Sequence, residues 1–174
     1  DIYATKGSAG VEQALTLSVG SPVIGGGSAT GNITIRTDSL NFNNIGTVQT
    51  TGNIAIIPYT DGGSFARTIN NTWFATSGAT PSAYQLGAEG NTSGLNLNSA
   101  LSVAGPITFY GGDVTLAANL SSTAAGAILI SATGNFSTDN AGGRYSVTTS
   151  NGSISILADS DANGSGQLDL DRLI

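Results

Sequence analysis

The 174-residue chain contains no cysteine, no histidine and no methionine. Without cysteine there are no disulfides and no thiol nucleophile. Without histidine, the serine triad and imidazole-held metal sites are excluded as well. Methionine is missing even from position 1, so the sequence reads as a processed product or an excerpt of a longer protein. Charge is scarce: Asp, Glu, Lys and Arg make up 9% of the residues, against about 25% in ordinary domains. The five basic residues (Lys6, Arg36, Arg67, Arg144 and Arg172) are scattered singly. They form no patch that neutralises a phosphate backbone, and nucleic acid is excluded as a partner. Gly or polar residues interrupt every apolar run well short of the roughly 18 residues of a membrane helix, so no membrane span is expected. The opening "DIYATKGSAG" lacks the apolar stretch of a signal peptide.

What remains is rich in small polar residues and still substantially apolar. Glycine accounts for 25 residues, about twice its usual share, while 39% of the chain is hydrophobic. An apolar content that high with so little charge argues against disorder. Its length suffices for one core, or for a stretch of repeat protein.

Nearly every apolar cluster is a glycine, a polar residue and an alternating triplet: "GNITI" from 31, "GNIAI" from 52, "GPITF" from 105, "GDVTL" from 112, "GAILI" from 126 and "GSISI" from 152. Short alternation flanked by Gly and Asn predicts β-strands bounded by turns. The clusters recur. Leu86, Ile107, Ile128, Val147 and Leu168 are 21, 21, 19 and 21 residues apart, and Leu97, Leu116, Phe136 and Ile156 step by 19, 20 and 20. Ile33 to Ile54 is again 21. A period of 20–21 predicts an all-β fold, a parallel β-helix whose coils stack about 4.8 Å apart and bury these files of side chains. The alternative is an antiparallel β-sandwich, which also yields short strands at regular intervals. In the solenoid reading, residues 1–30 form an N-terminal strand and entry segment and residues 31–174 form the repeats.

Ile54 to Leu86 spans 32 residues, about eleven more than one coil, so an irregular loop or coil is expected at about 58–85. That stretch holds Tyr59, Phe65, Trp73, Phe74 and Tyr84, five of the chain's eleven aromatic residues. Trp73, Phe74, Tyr59 and Tyr84 are candidates for a glycan- or partner-binding patch; the other reading is that the rings pack the loop onto the solenoid wall.

The second candidate is "ADSDANGSGQLDLD", residues 158–171. Asp159, Asp161, Asn163 and Gly164 match positions 1, 3, 5 and 6 of a calcium loop. Position 12, where a bidentate Glu belongs, is Leu170, with Asp169 and Asp171 on either side. Asp159, Asp161, Asn163 and Asp169 are therefore candidate calcium ligands, of affinity on the order of 0.1 to 1 mM. Asp, Asn, Ser and Gly are also what any β-corner selects, so a plain turn is the other reading. Catalysis is not expected. Asp159 and Asp161 are close enough for a hydrolase pair, but a Gly/Ser turn is a poor place to raise one carboxyl's pKa by burial. Arg172 is the only basic residue near them, too little for a uronate lyase.

The run from "LGAEGNTSGLNLNSALSVAGPITFYGGDVTLAANL" through "VTTSNGSISILADSDANGSGQLDL" resembles the β-strand repeat regions of very large bacterial surface proteins, the filamentous-haemagglutinin-like adhesins. The similarity covers roughly residues 31 to 170; "GPITFYGGDVTL" and "GSISILADSDANGSGQ" are its closest matches. The resemblance implies a right-handed parallel β-helix, an extracellular or cell-surface location, and a stalk or adhesive role in adhesion and biofilm formation. The Asn-Pro-Asn motifs of the two-partner secretion domain are absent, which points to shaft rather than tip and leaves the export route open. Expected partners are neighbouring coils of the same chain, copies stacked end to end, and surface glycans or ligands on host or neighbouring cells. The C-terminal "GQLDLDRLI" reads as an unfinished strand without a cap, and the N-terminal "ALTLSVG" as a strand, so an excerpt of a longer rod or end-to-end stacking is expected.

Overall fold

The computed structural model describes residues 2–3, 14–17, 23–42, 46–59, 63–71, 74–75, 79–139 and 143–174. Nineteen strands and no α-helix occur among them. They follow one another three to a coil. The first coil runs through β1 (Ile2–Tyr3), β2 (Ala14–Leu17) and β3 (Val23–Gly25). The second contains β4 (Ile33–Arg36), β5 (Ser39–Phe42) and β6 (Gly46–Gln49). The third contains β7 (Asn53–Ile57), β8 (Ile69–Asn70) and β9 (Phe74–Ala75). Then come β10 (Ala83–Leu86), β11 (Leu95–Leu97) and β12 (Leu101–Val103), followed by β13 (Ile107–Gly111), β14 (Val114–Leu116) and β15 (Leu120–Ser122). The sixth coil holds β16 (Ile128–Ala132), β17 (Phe136–Thr138) and β18 (Val147–Thr149). The last begins with β19 (Ile154–Leu157) and continues through single parallel bridges, Leu168 to Phe136 and Leu173 to Tyr145.

Like strands stack on like. One face is a seven-stranded sheet, β1-β4-β7-β10-β13-β16-β19. The second carries β2-β5 and β8-β11-β14-β17, and the third carries β3-β6-β9 and β12-β15-β18. Every strand pairing is parallel, which establishes the solenoid and overturns the antiparallel sandwich. β1, β2 and β3, all within residues 1–30, pair with the second coil on the three faces. Within 58–85, β8 and β9 carry the second and third faces onward. Residues 60–62, 72–73 and 76–78 of that stretch lie outside the described residues.

The alternating triplets bury every second side chain, as expected. On the first face one file runs Ile35, Ile56, Leu86, Phe109, Ile130 and Ile156; its neighbour runs Ile33, Ile54, Tyr84, Ile107, Ile128 and Ile154. The middle members of both are buried, each worth about 1.5–3 kcal/mol of apolar transfer. The register differs from the sequence-based files. Leu86 pairs with Phe109, and it is Tyr84 that pairs with Ile107. Val147 stacks on Leu120 of the third face, and Leu168 on Phe136 of the second. Leu97 does stack on Leu116, but Phe136 stacks on Val114, and Ile156 belongs to the first face. Coil lengths therefore vary: Ile33 to Ile54 and Ile107 to Ile128 are 21 residues, Tyr84 to Ile107 is 23, Ile128 to Ile154 is 26 and Ile54 to Tyr84 is 30. The backbone ladder fixes strand registers but not corner lengths. Because the triplets resemble one another, a constant step lands on some apolar residue in each coil, whichever face it lies on.

The corner leading into the first face explains the glycine before each triplet of that face. Gly31, Gly52, Gly105, Gly126 and Gly152 stack there, Ser82 taking the place between Gly52 and Gly105. A Cβ on Gly52 would sit 2.6 Å from the Gly31 carbonyl oxygen. On Gly126 it would overlap the Gly105 backbone, and on Gly152 the Gly126 carbonyl. Hydroxyls complete the corner: Thr50, Ser122 and Thr149 Oγ donate to the carbonyls of Gly31, Gly105 and Gly126 at 2.6, 2.8 and 2.8 Å. Urea unfolding of Gly126→Ala is expected to show a loss of about 1–3 kcal/mol, the usual result of overpacking against backbone. Gly31→Ala, whose Cβ meets nothing within 4 Å, should stay within about 0.5 kcal/mol of the parent. Equal losses in both variants would mean that the column is not closely stacked.

Candidate functional site

The polar side chains mostly join one coil to the next. Asn32 Oδ1 accepts the Asn53 N–H (2.9 Å), Asp38 Oδ1 the Tyr59 N–H (2.9 Å) and Asn119 Oδ1 the Ser146 N–H (2.9 Å). Asp113 Oδ1 accepts the Asn135 N–H (2.8 Å), and Asn135 Oδ1 in turn accepts the Gln167 N–H (2.9 Å), so these bonds climb through three coils. In each case the acceptor lies one coil earlier. These corners hold the chain where the strand ladder is interrupted.

Two buried asparagines extend the same device inside, with no distinguishing mark in the sequence. Asn91 is 0% exposed. Its Oδ1 accepts the Phe65 N–H (3.2 Å) and the Ser93 N–H (3.1 Å), while its Nδ2 donates to the Tyr110 carbonyl (2.8 Å), tying three coils together. Asn71 exchanges a pair of 2.8 Å hydrogen bonds with the Ser99 backbone. No buried side-chain polar atom among the described residues lacks a partner. In "GNTSG" nothing distinguishes Asn91 from the surface asparagines; only coil register places it inside.

Among the described residues, the aromatic side chains do not assemble into one exposed patch. Tyr84 is 2% exposed and packs edge-on against Phe109, ring centroids 6.2 Å apart at 70°. Burial pushes its phenol well above the ordinary tyrosine range. The expectation that Tyr84 presents its ring to a ligand is therefore corrected: strand alternation places it in the file of Ile54 and Ile107. Phe65 is buried in the same core, and Tyr59 is half-buried. The Phe74 backbone pairs with Gly46 in β9, and Trp73 lies outside the described residues.

The acidic stretch is a turn organised by its own side chains. Both Asp159 carboxylate oxygens accept the Gly164 N–H at 3.0 Å. Asp161 accepts Asn163 Nδ2 (2.8 Å), and Asn163 Oδ1 accepts the N–H (2.9 Å) and the hydroxyl of Ser165. Asp159, Ala162 and Gly164 take left-handed φ values of 54°, 56° and 81°, conformations that Asp, Asn and Gly tolerate best and Ala poorly. Asp169 belongs to a separate turn, where it accepts the Asp171 N–H (3.0 Å). Among the described residues no three acidic side chains converge in a metal-holding group.

Outside the wall of the first face, a groove of about 440 Å³ runs past Tyr110, Leu129 and Leu157, with the Glu89 and Asp161 side chains in its lining. These three occupy the outward positions of their strands, a signal legible as the unburied members of "ITFYG", "AILISA" and "ISIL". Neither family models, curated proteins nor solved structures return a match to this chain.

The turn is expected to be held by the Asp159–Gly164 bonds without an ion. Thermal melting in millimolar calcium and in chelator should give the same midpoint. Asp159→Ala should lower that midpoint equally in both, through the loss of the about 1 kcal/mol typical of a side-chain cap. A calcium-dependent rise that disappears in Asp159→Ala/Asp161→Ala would instead establish these residues as ligands.

Proposed function

We propose that this β-solenoid is a non-catalytic structural segment, a length of stiff shaft, in a large secreted or cell-surface bacterial adhesin or filament. The observation that carries this reading is the use of the polar side chains: Asn32, Asp38, Asp113, Asn119 and Asn135 accept backbone N–H groups of the following coil. Groups that hold coil to coil make a rod that resists bending and extension. The small neutral outer rows, Asn70–Asn96–Thr115–Ser137 and Ser102–Ser121–Thr148, suit a solvated shaft. The resemblance of "GPITFYGGDVTL" and "GSISILADSDANGSGQ" to haemagglutinin-like repeats supplies the adhesive and extracellular part of the proposal. In this role the chain carries and spaces binding elements that engage glycans or cell-surface ligands.

The competing reading is a carbohydrate-binding module centred on Trp73. A glycan array probed with the parent chain and with Trp73→Ala separates the two. The shaft reading predicts no Trp73-dependent signal, and specific binding abolished by Trp73→Ala would overturn it.

A further inference from the structure

We infer that the groove on the outer wall of the first face binds a linear polyamine, its end ammonium groups held by Glu89 and Asp161 and its methylene chain lying across Tyr110 and Leu129. The inference goes beyond the shaft reading, which holds equally for a rod with or without a ligand on its side.

The groove arises from unequal corners. Between the first and second faces, residues 87–94 join β10 to β11, and residues 158–167 lead from β19 to Leu168. The two coils between them turn more tightly, through Gly112 and Asp113 after β13 and through residues 133–135 after β16. The long corners therefore stand as lips on either side of two short ones. Glu89 lies on one lip and Asp161 on the other, both exposed. From β10 to β19 is three coil steps, which sets the lips about 14 Å apart at the spacing of paired strands. The groove opens sideways from the rod, so coils stacked at either end leave it open.

The floor between the lips is apolar and preformed. Tyr110 and Leu129 face outward there, and the volume of about 440 Å³ is that of a small-molecule site. The neighbours of Tyr110 in its row are small. Ser131 pairs with it in the next coil, and in the coil before stands Gly87, where a Cβ would come 2.0 Å from the Tyr110 carbonyl oxygen. Asn91 Nδ2 donates to that same carbonyl at 2.8 Å and fixes the backbone that carries the ring.

Charge selects the occupant. Two carboxylates and no Lys or Arg line the groove, in a chain of net charge −6. Among the described residues Glu89 has no hydrogen-bond or ion-pair partner, and Asp161 accepts only from Asn163. Carboxylates three coils apart cannot share one metal ion, and a neutral ligand leaves both uncompensated. A linear polyamine carries cations separated by apolar spacers, matching charged lips across an apolar floor, and places ammonium groups within reach of the Tyr110 ring.

Calorimetric titration of the whole chain at low ionic strength tests the inference, with spermine, the shorter diamine putrescine and magnesium as probes. Spermine should bind at one site per chain, about tenfold more tightly than putrescine, which is too short to reach both lips. Magnesium at equal concentration should not displace it. Glu89→Gln, Asp161→Asn and Tyr110→Ala should each weaken spermine binding about two- to fivefold with an unchanged strand signature in circular dichroism. Asp171→Asn, outside the groove, should leave it as in the parent. No binding of spermine overturns the inference, as does equal affinity for putrescine or undiminished binding by Glu89→Gln/Asp161→Asn. Trp73-dependent glycan binding would defeat the shaft reading and leave these outcomes unchanged, so the two failures are distinguishable.

Discussion

The spacing between coils governs everything else in this molecule. Parallel strands pair at about 4.8 Å, and a closed coil must keep that spacing at its corners as well as along its faces. A corner has no regular ladder, so something else must hold it at the same distance without pushing it apart. Glycines provide the close approach: Gly52, Gly126 and Gly152 sit where a Cβ would strike the carbonyl or amide of the coil below. Side-chain hydrogen bonds provide the hold, with Asx oxygens accepting from the coil above and Ser or Thr hydroxyls donating to the coil below.

The same spacing explains the scarcity of charge. Each outward position faces its own equivalent one coil away, and like charges so close destabilise pairing. A neutral column such as Asn70, Asn96, Thr115 and Ser137 avoids the repulsion, and Thr115 and Ser137 lie 3.5 Å apart, oxygen to oxygen. Where carboxylates occur within the wall they are engaged singly, as with Asp38 and Asp113. Four of the eleven acidic residues instead gather in residues 159–171, in turns rather than in strand rows.

Much of this architecture was legible in the sequence. Alternating triplets with leading glycines gave the strands, and their recurrence gave parallel stacking of coils. Pairings such as Ile33 with Ile54, Ile107 with Ile128 and Leu97 with Leu116 follow directly from the spacing. The register elsewhere did not, because corner length is nearly free. The coil from Ile128 to Ile154 is five residues longer than the 21-residue step, which places Val147 on a different face from Ile128, and Tyr84 reads as a surface aromatic until its partner is known to be Ile107 rather than a loop. Asn91 was invisible for the same reason: burial of a polar residue depends on which N–H and C=O groups the neighbouring coils bring to it. The acidic turn matches a calcium-loop pattern because calcium loops and tight turns both select Asp, Asn and Gly at left-handed or tightly turned positions, and the side chains of Asp159, Asp161 and Asn163 bond within the turn.

If corner side chains hold the coils together, the amides they accept must be as protected as those of the strands. Residue-resolved hydrogen exchange measures this directly at Asn53, Tyr59, Asn135, Ser146 and Gln167, whose N–H groups donate to Asx oxygens of the preceding coil. The account predicts protection comparable with neighbouring strand amides such as Ile56 and Ile130, both lost only in larger openings of the rod. Exchange at free-loop rates for these five amides, with the strands still protected, would contradict it.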